Sequence, residues 1–351
     1  MNDTKPIRRG EELNEANLQT FLRENLEIKS GEIEILQFPG GSSNLTYCVK
    51  IGADEYVLRR PPFGNQVKSA HDMAREFHVL SHLSKVYGPA PKPLIYCNDE
   101  KIIGSEFYLM ERRHGLIIRG KSPETLENSP ELQRKVCESF IENLVELHSL
   151  DYQKVGLGNL GKPEGYVFRQ VEGWTKRYFN AKTDEHVELE TAIEWLGANI
   201  PDSHGAALVH NDYKFDNVML DPENLTEIVA VLDWEMTTVG EPLMDLGSSL
   251  AYWMAKENGT EMLSMPFNPR VLMENISRQE LVEMYQQQSG KRVSDIVFYY
   301  VFGTFKLAVI AQQIYFRYAK GFTKDQRFAT FDHFVNSLGK IALHAIEKQQ
   351  L

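Results

Sequence analysis

Residues 208–217 read Leu-Val-His-Asn-Asp-Tyr-Lys-Phe-Asp-Asn, and residues 231–235 read Val-Leu-Asp-Trp-Glu. The first stretch contains His210-x-Asp212-x-x-x-x-Asn217, a spacing that supplies a base for a hydroxyl and an amide ligand for magnesium. Asp233 comes sixteen residues after Asn217, at the end of an apolar run, where a second oxygen ligand for a hard cation is expected. Lys214 stands two residues after Asp212, placed to meet γ-phosphate oxygens. Asp and Asn are also common turn residues, and either stretch alone would be accounted for that way. Both together, in this order and between apolar runs, point to transfer of a phosphoryl group to a hydroxyl. His210 reads as structural, buttressing the loop from below.

Upstream of this centre the pattern is β-rich. After a short amphipathic helix over about 14–25, Ile33, Ile35 and Leu36 lead into Gly40-Gly41-Ser42-Ser43-Asn44. Leu45–Ile51 and Glu55–Arg59 follow, separated by a Gly52-Ala53-Asp54 turn. Met73, Phe77, Leu80 and Leu83 recur at helical spacing, and 94–97 and 106–110 read as two more strands. Downstream the spacing predicts helices over 131–149, 164–181, 188–198, 242–255, 278–288, 293–318 and 325–347. The expectation is an α+β, bilobal chain. Residues 1–111 form a small antiparallel β-sheet lobe with one helix, which binds nucleotide. Residues 112–351 form a larger, mainly helical lobe, which carries catalysis and substrate binding.

Composition narrows the partners. The chain has 351 residues, 38 basic against 49 acidic, for a formal charge of -11, which argues against an unassisted nucleic-acid binder. Three cysteines (Cys48, Cys97, Cys137) lie far apart without metal-ligand spacing, so a reducing cytoplasm is the default. The N-terminus has no apolar core and does not read as a signal peptide. The apolar stretch 297–316 carries Lys306, Gln312 and Gln313 and reads as a buried helix rather than a membrane span. Nothing in the sequence sets the oligomeric state.

Two glycine-rich stretches differ in meaning. Gly40, Gly41, Ser42, Ser43 and Asn44 lie between expected strands, where glycines allow close approach and amides or hydroxyls can cradle phosphates. Gly156-Leu-Gly158-Asn-Leu-Gly161 matches a dinucleotide fingerprint by letter only. It follows a helix and precedes Pro163, whereas that fingerprint closes a strand and opens a helix. It reads as a loop.

The residues HNDYKFDN, VLDWE, Gly240-Glu-Pro-Leu-Met-Asp245-Leu, AREFHVL and YVLRRPP together resemble the aminoglycoside phosphotransferase and choline kinase-like family, small-molecule kinases with the protein-kinase fold. The likeness runs from about Ile33 beyond Tyr252. YVLRRPP and Arg169-Gln-Val look most like the kinase domain fused to some acyl-CoA dehydrogenases.

The resemblance implies that Asp212 is the base, and that Asn217 and Asp233 hold Mg2+ beside ATP. Arg59 stands where such kinases carry a phosphate-gripping lysine, with Glu76 as its helix partner. Asn211 stands where glycine is common. Asp245 braces helical structure without chemistry. Met110, Glu111 and Arg113 form the hinge segment, whose backbone meets adenine with Met110 behind it. The acceptor is a small hydroxylated molecule lying between the lobes: aminoglycoside-like, an amino alcohol, or a hydroxyacyl compound suggested by the dehydrogenase-fused relatives. Tyr166, Trp174, Tyr252 and Trp253 either shape its site or belong to the core. The alternatives are a non-catalytic nucleotide-binding module and nucleotidyl transfer on the same fold.

Overall fold

β-Branched and aromatic residues separated by turn formers build a five-stranded antiparallel sheet in the N-terminal part of the chain. Its strands are β1 (Ile33–Gln37), β2 (Leu45–Ile51), β3 (Asp54–Arg60), β4 (Pro93–Cys97) and β5 (Phe107–Glu111), in the order β1-β2-β3-β5-β4. The computed structural model describes the chain except residues 1–2, 27–30, 40–43, 64–71, 255–257, 259–261 and 263–268. It divides into two units, Met1–Gly115 with Val229–Glu235, and Leu116–Ile228 with Met236–Leu351.

In the first unit, register places Ile35 opposite Val49, Val49 opposite Tyr56, and Leu58 opposite Leu109. Helix α1 (Glu15–Asn25) covers one face, burying Leu18 and Leu22 against Tyr47, Val49, Leu58 and Leu109. Full burial of each such side chain contributes roughly 1.5–3 kcal/mol. Helix α2 (Met73–Leu83) starts at Asp72, whose carboxylate accepts from the Arg75 amide at 2.8 Å. It packs on β4 and β5 through Val79, Leu80 and Leu83, and the same buried face carries Glu76. The segment 229–235 joins this unit because the Val231 amide donates to the Pro89 carbonyl and Trp234 lies edge-on to Tyr87. Sequence order alone groups this segment with its helical neighbours.

The second unit is mainly helical. Its long elements are α3 (Pro130–Ser149), α4 (Tyr166–Ala181), α5 (Val187–Ala198), α6 (Pro242–Tyr252), α7 (Arg278–Ser289), α8 (Ile296–Ala319) and α9 (Phe331–Lys348). The apolar α8 is buried among α4, α5, α6 and α9. It crosses α6 closely, since a Cβ at Gly303 would overlap the Gly247 carbonyl. The last helix starts at Phe331 rather than 325. Asp325 turns the chain there, its carboxylate accepting from the Arg327 amide and capping a short 3-10 turn over Gln326–Phe328.

Candidate active site

In the second unit, β6 (Ala207–Val209) pairs antiparallel with β7 (Thr238–Gly240), Leu208 opposite Val239. The strand delivers the chain into the loop His210–Asn217, which closes in a 3-10 turn over Phe215–Asn217. Packing fixes the loop from beneath. Phe140 of α3 stacks on Phe215 with centroids 4.2 Å apart, and the Tyr213 hydroxyl donates to the Phe140 carbonyl at 2.9 Å. His210 is fully buried, and its Nδ1 accepts from the Asp212 amide at 3.2 Å, a structural role.

Asn211 adopts φ +66°, the left-handed region that glycine and asparagine enter most readily. This is the physical reason glycine suits the position. Asp245, on α6, holds the turn: its Oδ1 accepts from the Asn211 amide at 2.7 Å and its Oδ2 from the His210 amide at 2.6 Å. The expectation that Asp245 merely braces helix structure is therefore corrected; it clamps the loop that carries Asp212. Burial opposes its charge, but the hydrogen bond and charge of His148 and the His210 amide prevail, holding the carboxyl below the usual aspartate range.

Three groups converge on Asp212. Its Oδ1 accepts from the Tyr252 hydroxyl at 3.0 Å. Its Oδ2 accepts from Lys214 Nζ at 2.7 Å and from Asn217 Nδ2 at 2.9 Å. Burial disfavours the Lys214 charge, but Tyr252 and Asp212 outweigh it, and the ammonium titrates well above the ordinary lysine range. Burial, with Asp212 beside it, pushes the Tyr252 phenol up, so it remains a donor at neutral pH. Asn217 also donates through Nδ2 to the Asp212 carbonyl at 2.9 Å. With the amide nitrogen donating to Asp212, Oδ1 is the side-chain atom through which Asn217 could hold a cation.

In the first unit, the guanidinium of Arg59 on β3 spans two carboxylates, Glu76 Oε1 at 2.7 Å and Asp233 Oδ1 at 2.8 Å. Burial opposes its charge, but Glu76 outweighs that, and Arg59 stays protonated. Glu76 is fully buried, which raises its pKa against the pull of Arg59. The Trp234 amide donates to Glu76 Oε1 at 3.2 Å, and Asp233 takes φ +70°. Asn44 Nδ2 donates to Glu235 Oε2 at 2.7 Å. Met110 is buried in β5 opposite Val57. Glu111 Oε1 accepts from the Lys92 amide and from Arg113 Nε, both at 2.8 Å, so these two side chains brace their own segment. Gly40, Gly41, Ser42 and Ser43 lie outside the described residues.

The structure thus brings Asp212, Lys214 and Asn217 together in one unit, and Arg59, Glu76 and Asp233 in the other. Sequence reasoning did not give Tyr252 its place on Asp212, or Asp245 and Lys306 their place on Asn211. The Asp in an otherwise apolar α6, and the Lys within an apolar α8, were the available signals. Among the described residues no three His, Cys, Asp or Glu side chains form a ready metal centre. Magnesium does not need one, because it takes one or two protein oxygens and completes its shell with phosphate and water.

A five-stranded antiparallel unit followed by a mainly helical unit with this loop defines a protein-kinase-like α+β fold. The pattern of the phosphotransferase enzyme family (APH) matches residues 34–265, and the chain belongs to that family. It is 32% identical over 349 residues to acyl-CoA dehydrogenase family member 11 of Gallus gallus, a match covering 97% of this chain and 44% of that protein. The chain thus spans less than half the length of that curated relative. A solved Ralstonia eutropha protein named for the aminoglycoside phosphotransferases superposes with TM-score 0.80 at 27% identity, over 96% of this chain and 99% of the other. A thermostable mutant of aminoglycoside phosphotransferase APH(4)-Ia, solved with ADP and hygromycin B, superposes with TM-score 0.61 at 15% identity, over 94% and 98% of the two chains.

Proposed function

We propose that this protein transfers the γ-phosphoryl group of ATP to a hydroxyl of a small molecule. The observation that carries the reading is Asp212, an ionisable oxygen pair held on one side by Tyr252 and on the other by Lys214 and Asn217. Asp212 accepts the proton of the acceptor hydroxyl. The acceptor oxygen forms a bond to the γ-phosphorus, the bond from that phosphorus to the bridging oxygen breaks, and ADP leaves. Lys214 neutralises γ-phosphate oxygens, exchanging part of its contact with Asp212 for them. Asn217 and Asp233 are the residues we assign to Mg2+, which when bound neutralises phosphate charge; their hard oxygens fit that ion. Arg59, paired with Glu76, serves the α- and β-phosphates in place of a lysine, and Gly40–Asn44 and Met110–Arg113 serve the remaining phosphate and adenine contacts. ATP as donor is supported by the ADP complex of the APH(4)-Ia structure.

The acceptor class we favour is a hydroxyacyl compound over an aminoglycoside or amino alcohol, because the family member 11 relative is named for acyl-CoA chemistry. We place the reaction in the cytoplasm, in keeping with three buried free thiols. A second reading, a nucleotide-binding module without transfer, is favoured by one observation: Asp233 Oδ1 is already taken by Arg59.

ADP release from MgATP, measured with pooled hydroxylated metabolites including hydroxyacyl-CoAs, aminoglycosides and amino alcohols, separates the readings. A kinase raises ADP with one pool, adds one phosphate to the product, and loses about 100-fold to 10,000-fold of the rate in Asp212→Asn. Equal turnover in Asp212→Asn would remove the role given to that residue. A product heavier by AMP identifies nucleotidyl transfer.

A further inference from the structure

The middle of α8 is apolar on every side, yet Lys306 sits there only 5% exposed, among buried Phe302, Phe305 and Val309. A buried ammonium is one of the least favourable groups a core can hold unless something compensates it. Among the described residues its hydrogen bond goes to the main-chain carbonyl of Asn211. The Trp174 ring lies 5.6 Å from its nitrogen. The charged groups facing it come from the loop (Asp212 and Lys214), from α6 (Asp245) and from α4 (Arg177). The two carboxylates favour its charge, Lys214 and Arg177 oppose it, and burial pulls its pKa below the usual lysine range.

The bond to Asn211 acts on one particular peptide plane. The carbonyl of Asn211 and the amide of Asp212 belong to the same planar unit. Lys306 holds its C=O, and His210 Nδ1 accepts from its N–H at 3.2 Å. The preceding unit is fixed by Asp245, which accepts the Asn211 amide at 2.7 Å. The tilt of the Asn211–Asp212 plane sets the direction in which the Asp212 side chain leaves the backbone. A lysine is suited to this because its long unbranched chain reaches from the core helix to the loop, and because hydrogen bonds from a charged donor are stronger than neutral ones.

We infer that Lys306 is a positioning residue for phosphoryl transfer: from the core helix α8 it clamps the Asn211–Asp212 peptide and so aims the Asp212 carboxylate. The inference rests on Asp212 being the base of the proposed transfer, but the clamp itself is testable without nucleotide.

Hydrogen–deuterium exchange of a peptide covering 208–217 is compared between the intact protein and Lys306→Met, which keeps an unbranched chain, one atom shorter, and removes the donor. Loss of a charged hydrogen bond predicts at least about tenfold faster exchange at the loop amides, with α8 itself unchanged. Lys306→Gln, neutral and also one atom shorter than lysine so that its amide stops short of the Asn211 carbonyl, gives the same loop result and serves if the Met variant fails to fold. Unchanged loop exchange in the variant that folds overturns the clamp. The second readout is ADP release with the acceptor found for the intact protein. It falls by about tenfold or more in the rate at saturation, with KM for MgATP and nucleotide-induced stabilisation retained. A rise in KM alone overturns the positioning role. An intact protein that releases no ADP counts against the kinase reading and leaves the exchange result to decide the clamp.

Discussion

Arg59 Nη2 lies 2.8 Å from Asp233 Oδ1 while Nη1 of the same guanidinium lies 2.7 Å from Glu76 Oε1. One planar fork therefore ties β3, α2 and the 229–235 segment within the first unit. A lysine in this place is a single point charge and cannot satisfy both carboxylates with the same geometry. Removing the cation leaves Glu76, which is fully buried, without its counter-charge, a change that typically costs about 3–5 kcal/mol. Thermal melting should rank the intact protein above Arg59→Lys and Arg59→Met lowest. An Arg59→Met protein that melts with the intact one would show that the pair contributes nothing to the unit.

Tyr252 offers a cleaner test of the loop, because its hydroxyl touches Asp212 Oδ1 at 3.0 Å while its ring packs in the core. Tyr252→Phe keeps the ring and deletes one donor. The expected result is a fall of about tenfold in the rate of ADP release at saturation, from loss of one hydrogen bond worth roughly 1 kcal/mol or more. Melting should shift little. Unaltered kinetics would mean that Lys214 and Asn217 suffice to orient the carboxylate.

Much of this arrangement is legible in the sequence. The two motifs gave the order Asp212, Asn217, Asp233, and the alternation of strands followed by helical spacing gave the α+β fold. The strands fell within a residue or two, because runs of β-branched and aromatic residues end at turn formers such as Gly52-Ala53-Asp54. What sequence did not give were contacts made at long separation. Tyr252 reaches Asp212 across 40 positions and Lys306 reaches Asn211 across 95. Local spacing carries no information on such pairs. Buried polar residues in apolar helices were the one clue, since a core keeps a charge only where some partner holds it. Asn211 was marked as a departure from glycine, but only its φ explains why the exchange is tolerated.

Asp245 makes the stability of the loop depend on pH. Its carboxyl is held below the ordinary value of 3.8: burial opposes this, but His148 and the His210 amide prevail. A depressed folded-state pKa contributes stability that is fully present above the unfolded value and is lost as pH falls toward the folded one. Melting curves from pH 7 down to pH 3 should show this as a loss beginning below about pH 4–5. Asp245→Asn retains one acceptor and loses the charge, so it should be less stable by about 2–3 kcal/mol at pH 7. The gap to the intact protein should narrow as pH falls. A gap that stays constant down to pH 3 would mean that the Asp245 charge is not what holds the loop.

Asn211 separates the backbone requirement from the side-chain one. The residue needs φ near +66°, which costs a typical L-residue about 1–2 kcal/mol and glycine almost nothing. Its side chain separately accepts from the Tyr166 hydroxyl and donates to the Met236 carbonyl, each at 3.0 Å. Asn211→Gly keeps the Asp245 and Lys306 contacts to the main chain and loses only those two bonds. It should fold, melt slightly lower and retain most ADP release. Asn211→Val meets the left-handed region with a β-branched side chain and should lose both stability and rate, because the strain displaces the peptide that aims Asp212. If Val proves as active as Gly, the conformation at 211 does not control the base, and the clamp from Asp245 and Lys306 would have to act without it.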